Sequence, residues 1–424
     1  MPTMRHVLSL TICLSLTICV TAGLAFTACT RDITPPKGTQ AVASAPTKKA
    51  KTQKPPRDPR KDLHLIDSHV HLTPLPGPMR LALRLFAEIR VDKFAVKSAG
   101  NPGTPRYAAT LRWAQRLGDR MAFFTNIDWE DIDKPTWAKR EADKIERAMK
   151  DGASGIKIFK ALGLGVRLKD GSLVKVDDPR LDPIFKRCEK TGAIVAWHVA
   201  DPVAFFKPTT PKNERYAELS LAPDWSFYGK DYPSHEALLA ARDRVIAKFP
   251  KVTFLGIHFA NYPESLTYVA KTLDRFPNLY IDISARVPEI GRHPVAKLKA
   301  LFTRYQRRIL FGTDLIITPR GMQLGSVAKN GPPGYDDAVR YYQVHRRFFE
   351  TADKNFDHPT PIQGDWKING IDLPLSVLKN IYRDNAERLI FAKRHAFVAR
   401  QRTTTRPAPG HTPRPTTHPT PTGK

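Results

Sequence analysis

Seven side chains able to bind a metal or move a proton stand at the ends of apolar runs in this sequence. The run LHLIDSHVHL at 63–72 carries Asp67, His69 and His71 at every second position, a spacing that on a strand turns side chains to one face. GIKIF sets Lys157 two residues after a glycine, while AWHVA, GIHF and FGTDL carry His198, His258 and Asp314. Taken singly, an HxH pair is often accidental, a strand histidine is commonly a satisfied core residue, and an aspartate after a strand is commonly a helix cap. Recurrence at five strand ends points instead to one shared metal site. Cys188 is the only cysteine beyond residue 29, so no CxxC site exists and a metal must be held by His, Asp, Glu or Lys. Imidazole nitrogen and carboxylate oxygen suit Zn²⁺, with Mn²⁺, Fe²⁺ or Co²⁺ as substitutes, and such a centre activates water or polarises a carbonyl.

The elements that must position these groups are short apolar runs at 63–72, 93–99, 121–127, 155–162, 193–200, 252–259, 279–285 and 308–315. Between them lie stretches such as RYAATLRWAQRLGDR, PTWAKREADKIERAMKDG and PVAKLKALFTRYQRR, apolar at helical spacings of three and four. Eightfold alternation predicts an α/β fold, a parallel (β/α)8 TIM barrel over residues 63–392 with its site at the C-terminal mouth. Insertions follow strands five and eight. Residues 201–234 are rich in aromatics, including Phe205, Phe206, Trp225 and Phe227, and form either a lid or a satellite cluster; residues 316–334 are rich in Gly and Pro. Arg286, after strand seven, either binds a substrate carboxylate or pairs with Asp282 or a helix end. Trp129, after strand three, is either a pocket wall or core packing. Asp201 and Asn261 follow the strand-five and strand-six histidines closely enough to orient them. KDGS at 169–172 predicts a small hairpin, and Cys188 falls on an outer helix. There is no GxSxG, and GLG at 163–165 lacks a third glycine, which leaves nucleophile-elbow and dinucleotide chemistry without support.

The set DSHVH, GIKIF, AWHV, GIHF and FGTD, followed by IYRDNAERL, resembles the amidohydrolase superfamily, in the amidohydrolase-related branch that includes aminocarboxymuconate-semialdehyde decarboxylase. The resemblance covers about 63–392 and is specific for the superfamily, not for a substrate. It implies that His69, His71, His198 and Asp314 bind one divalent metal, that Asp314 shuttles a proton, and that His258 polarises the substrate or transfers a proton. Lys157 matches the lysine that is carboxylated and bridges two metals in binuclear relatives, where His258 would sit on the second ion; in single-metal relatives it is a charged site residue. The expected reaction is hydrolysis of an amide, lactone or ester-like bond in a small molecule. A metal-dependent decarboxylase is the alternative within the branch, and a catalytically silent envelope-binding lipoprotein the alternative of another class.

Residues 1–29 read as an export signal: a basic start, an apolar run, and FTAC ending at Cys29, which resembles a lipobox with Phe in place of the usual Leu. Lipidation of Cys29 or retention of the apolar run as an anchor both place the protein in the bacterial cell envelope, on the periplasmic side of the membrane. Residues 30–62 read as a Pro/Lys-rich tether and 393–424 as a disordered Thr/Pro-rich tail. The formal charge of +27 is concentrated partly there: 30–62 carry nine basic residues against three acidic, and 393–424 carry seven with no acid. With no nucleic-acid module, the basic tails fit a solvated tether or an anionic envelope polymer rather than a nucleic acid.

Overall fold

The computed structural model describes residues 58–229 and 231–404. The signal with Cys29, the tether through 57 and the tail from 405 lie outside the described residues. All eight expected strands form: β1 (Leu65–Leu72), β2 (Val91–Val96), β3 (Met121–Asn126), β4 (Gly155–Ile158), β5 (Ile194–Trp197), β6 (Phe254–Gly256), β7 (Leu279–Asp282) and β8 (Ile309–Leu310). They run parallel in sequence order from β1 to β8. The expected eighth strand continues past a break at 311–314 into β9 (Leu315–Thr318), which pairs parallel with β1. That break closes the ring: the Ser68 N–H donates to the Phe311 carbonyl at 3.0 Å and the Asp314 N–H to the His69 carbonyl at 2.9 Å. The expected Gly- and Pro-rich insertion 316–334 opens with an antiparallel hairpin of β9 with β10 (Gly321–Leu324), which extends the sheet.

Helices on the outside explain why the strands are apolar on both faces. Leu65, Phe94, Val96, Phe123 and Val195 belong to the layer under the helices. Ile66, Ala95, Phe124, Ile194, Ala196 and Leu255 belong to a second cluster inside the barrel, packed with Ala386, Ile390 and Phe391 from the C-terminal segment. The helix boundaries follow local chemistry. Thr104 accepts the Tyr107 N–H and Pro105 opens the helix Pro105–Leu117, which stops at Gly118 with φ of 59°. Helices Trp137–Lys150 and Val295–Arg304 also match expectation, and Cys188 is buried in the helix Asp182–Thr191. The KDGS turn joins an antiparallel bridge between Arg167 and Leu173.

Two boundaries differ from the reading of the sequence. Pro59–Asp62 form a 3₁₀ turn, with Arg60 bonded to Asp58 and Asp372, so the fold starts before 63. At the other end Ala392–Thr404 is helical and Arg394 is buried, so residues 393–404 continue the fold instead of beginning a tail.

Strands β4 and β5 approach closely at Gly155, where an added Cβ would lie 2.0 Å from the Ile194 carbonyl oxygen. Gly155→Ala is expected to destabilise the barrel by about 3 kcal/mol or more, because backbone rather than a flexible side chain must move. Denaturant midpoints would show it; a shift under about 1 kcal/mol would mean the strands separate freely.

Candidate metal centre

Strand β1 delivers His69 and His71 inward, whereas Asp67 turns elsewhere. The register against β2 shifts between Asp67 and Val70, which breaks the simple alternation. Asp67 consequently accepts from Thr313 Oγ1 and Tyr342 OH, both at 2.6 Å, and from the Thr313 N–H at 3.2 Å. It clamps the turn next to Asp314 and is no candidate ligand. Burial raises its carboxyl to about 6, against the hydrogen bonds that favour the ion.

The donors converge closely. His69 Nε2 lies 3.2 Å from His71 Nε2, and Asp314 Oδ1 lies 3.3 Å from His69 Nε2 and 3.2 Å from His71 Nε2. Ligands about 2.0–2.1 Å from a tetrahedral ion are about 3.3 Å apart, so these three atoms have the spacing of one face of such a site. His258 joins the group: one ligand atom each from His69, His258 and Asp314 lies within 4.8 Å of the others. His198 packs edge-on to His258 with ring centroids 4.3 Å apart.

Each of three imidazoles has one nitrogen engaged, leaving the other for a metal. His69 Nδ1 meets Asp282 Oδ2 at 2.9 Å, with Ser284 Oγ also at 2.9 Å. His258 Nδ1 lies 2.9 Å from the Ser284 carbonyl, which can only accept, so Nδ1 carries the proton and Nε2 a lone pair. That tautomer suits His258 to ligation or proton uptake and not to polarising a carbonyl, one of the two roles expected of it. His198 Nε2 lies 3.1 Å from Asp201 Oδ1, leaving Nδ1 free. Burial holds His69, His71 and His258 below the usual imidazole range and His198 at about 4, so all four are neutral at pH 7, the form that binds metal. Burial pushes the Asp314 carboxyl up, but His69, His71 and Lys157 outweigh it and hold the group below its ordinary value. Lys157 Nζ stands 3.4 Å from His69 Nε2, its ammonium lowered to about 8 by burial.

Strain secures His258. Residues 258–261 form a left-handed turn without glycine, with φ of 55°, 56°, 56° and 60°. Such backbone costs about 1–2 kcal/mol per residue and persists only where surroundings enforce it. Here the His258 N–H donates to Asp282 Oδ1 at 2.9 Å, Arg242 Nη1 to the Ala260 carbonyl at 2.6 Å, and His235 Nε2 to the Asn261 carbonyl at 2.9 Å. Asn261 bridges back to strand five, accepting from the Val199 N–H at 3.2 Å and donating to the Ala200 carbonyl at 2.9 Å.

Two hollows share His198, His258, Asp314 and Ile316 in their walls. The larger, about 340 Å³, is also lined by His71, Lys157, Arg106 and Phe159. The smaller, about 150 Å³, lies beside Arg286, Asp201 and the insertion residues Phe205 and Trp225. The insertion packs against the barrel through ion pairs: buried Arg215 pairs with Glu218 at 2.8 Å and with Glu289. Arg286 Nη2 faces Asp201 Oδ1 at 3.8 Å, and Asp282, the alternative partner, faces His69 and His258. Trp129 is not among the residues lining either hollow; it stacks on Trp137 with centroids 5.7 Å apart.

Asp282 and Ser284 escaped the reading of the sequence as site residues. A lone carboxylate at the end of the apolar run LYID was the available signal.

A parallel barrel with His and Asp donors gathered at its C-terminal mouth has the arrangement of a metal-dependent barrel enzyme. The chain belongs to the amidohydrolase family, whose profile matches residues 66–391. No curated protein matches the chain. Similar solved structures include a 2,6-dihydroxybenzoate decarboxylase from Rhizobium, 16% identical over 78% of this chain and 98% of that one, TM-score 0.42. A chain described as a 2-pyrone-4,6-dicarboxylic acid hydrolase from Pseudomonas putida is 12% identical over 78% and 98%, TM-score 0.41. An amidohydrolase from Burkholderia multivorans with bound zinc is 14% identical over 78% and 99%, TM-score 0.41.

Proposed function

We propose that the protein is an exported hydrolase that uses one divalent ion, most simply Zn²⁺, to cleave an amide, lactone or ester-like bond in a small molecule. The observation that carries this reading is the triangle of His69 Nε2, His71 Nε2 and Asp314 Oδ1, with edges of 3.2, 3.2 and 3.3 Å. An ion held there supplies water of lowered pKa, about 7, and a Lewis acid for the carbonyl. His198, whose Nε2 is engaged by Asp201, would be a further ligand, with a water completing the site. Asp314 stays ionised and takes the proton from the attacking water, then returns it to the leaving group. His258 faces the reacting atoms with a lone pair and would accept the second proton of the attacking water as the product acid becomes a carboxylate. Lys157 remains a charged neighbour of the ligands and does not bridge a second ion. Cys29 carries lipid and tethers the barrel to the periplasmic face of the membrane, with the basic tether close to anionic polymer or head groups.

Decarboxylation is the second reading. Arg286, which lines the smaller hollow with Nε unpartnered among the described residues and Nη2 3.8 Å from Asp201 Oδ1, gives it specific support.

Metal analysis of the purified protein, paired with a panel of lactones, amides and aromatic carboxylates, tests both. One ion per chain is expected in the wild type and none in His69→Ala. His258→Gln is expected to keep the ion and lose activity, whereas loss of the ion would make His258 a ligand. Two ions per chain, falling on Lys157→Ala, would overturn the single-metal reading, and a metal-free wild type would sink the mechanism. Carbon dioxide release from a carboxylate, with no hydrolysis, would establish the second reading.

A further inference from the structure

The aromatic insertion begins at Asp201, and that first residue already touches the metal centre. Asp201 is buried, and two groups compete for its Oδ1. His198 Nε2 lies 3.1 Å away and, facing a carboxylate that can only accept, carries the proton, which leaves the Nδ1 lone pair for an ion. Arg286 Nη2 stands 3.8 Å from the same oxygen, and Arg286 is poorly satisfied: Nη1 donates to the Ala285 carbonyl at 2.9 Å, while Nε has no partner among the described residues. Nε and Nη2 together form the fork that grips a carboxylate side-on, so a rotation of Asp201 toward Arg286 would gain a bidentate pair and cost His198 its acceptor. A grip on the other oxygen opposes that rotation. Lys160 Nζ bonds to Asp201 Oδ2. Lys160 follows β4, and its ammonium is itself placed by the insertion, 5.1 Å from the Trp225 ring centroid and 5.6 Å from that of Phe227. The Phe227 N–H donates to the Phe205 carbonyl at 2.8 Å, which ties the later part of the insertion to its start.

We propose that Lys160 is a positioning residue for the metal centre: held beside Trp225 and Phe227, it keeps Asp201 on His198 and away from Arg286, so that the aromatic insertion fixes the tautomer and ring plane of a metal ligand. The inference rests on the hydrolase reading, in which His198 is a ligand, and it gives the insertion a task that a lid does not have. A lid governs what enters the mouth. Here the insertion governs which nitrogen of His198 meets the ion. Lys160 thereby acts differently from Lys157, which stands beside His69 Nε2 itself.

Nitrogen NMR of the full chain carrying isotope-labelled histidine, metal-stripped and at pH 7, where His198 is neutral, reads the tautomer without any ion. The His198 signals are identified by their loss in His198→Asn. The wild type is expected to hold the His198 proton on Nε2 alone. Lys160→Met should give a mixture of the two neutral forms and lower Zn²⁺ affinity by about tenfold or more, as the loss of an outer hydrogen-bond partner of a ligand does. Lys160→Arg should keep the single form. The deciding variant combines Lys160→Met with Arg286→Met: with the competitor gone, Asp201 returns to His198 and the single form reappears, a rescue that general damage to the fold cannot produce. Trp225→Leu should shift the population in the same direction as Lys160→Met by a smaller amount. A single Nε2–H form in Lys160→Met, a proton on Nδ1 in the wild type, or a mixture that persists in the double variant overturns the proposal, and an unchanged Trp225→Leu overturns the part given to the insertion. If the tautomers respond as expected but the wild type binds no Zn²⁺, the hydrolase reading fails and the positioning role stands. If Zn²⁺ is bound and the tautomers are indifferent to Lys160, the positioning role fails and the hydrolase reading stands.

Discussion

Asp314→Asn is expected to lower turnover by about 10³-fold or more while leaving the fold intact, because it removes a proton acceptor and a ligand at once. The substitution is unusually clean at this position. Asp314 has φ of 66°, a conformation that asparagine tolerates as readily as aspartate, so backbone strain does not change. The side chains are of the same size. What changes is Oδ1, which lies within 3.3 Å of both His69 Nε2 and His71 Nε2 and becomes either a weak amide oxygen or an NH₂ group. Turnover and bound metal should therefore fall together with little movement in the melting temperature. Activity within about tenfold of wild type would exclude Asp314 as the proton carrier.

The second large effect is expected at a residue that touches neither metal nor substrate. Asp282 is fully buried, and its two oxygens serve four donors: Oδ2 receives His69 Nδ1, and Oδ1 receives the His258 N–H, the Ser284 N–H and Ser284 Oγ. Asp282→Asn puts an NH₂ group against one of them. If that group meets His69, the imidazole must move its proton to Nε2, the nitrogen the metal needs. If it meets the His258 and Ser284 amides, the left-handed turn loses a support. Either way metal affinity should fall by about 10–100-fold. Each buried donor left unpaired adds about 1–3 kcal/mol of instability. Titration with a fluorescent zinc competitor at several pH values checks the first effect, and thermal unfolding the second. Because moving a proton between the two nitrogens of a neutral imidazole releases none, the deficit relative to wild type should persist as pH rises. An affinity equal to wild type would show that Asp282 serves packing alone.

The barrel could be read from the sequence because its signal is local and repeated. Buried parallel strands must be apolar on both faces, so runs such as AIVAW and VTFLG stand out, and a histidine or aspartate at the end of such a run is conspicuous. What escaped depends on groups far apart in the chain. Asp282 becomes a hub only when ring closure brings strand seven to His69. Local backbone departures were equally hidden. Nothing in IHFAN announces a left-handed turn, since no glycine marks it, and nothing in LIDSH shows the register shift that turns Asp67 away from the two histidines. The helix Ala392–Thr404 was masked by a composition that shades into the Thr/Pro-rich segment after it.

The interior of the barrel is completed by Ala386, Ile390 and Phe391, residues synthesised long after the last strand. Folding is thereby tied to the arrival of the far end of the chain. A ribosome-bound intermediate that already contains every barrel strand still has a hollow interior, with Ile66, Phe124, Ile194 and Leu255 lacking their partners. Such an intermediate has little to gain from closing early, so the barrel closes only once the far end of the chain is free.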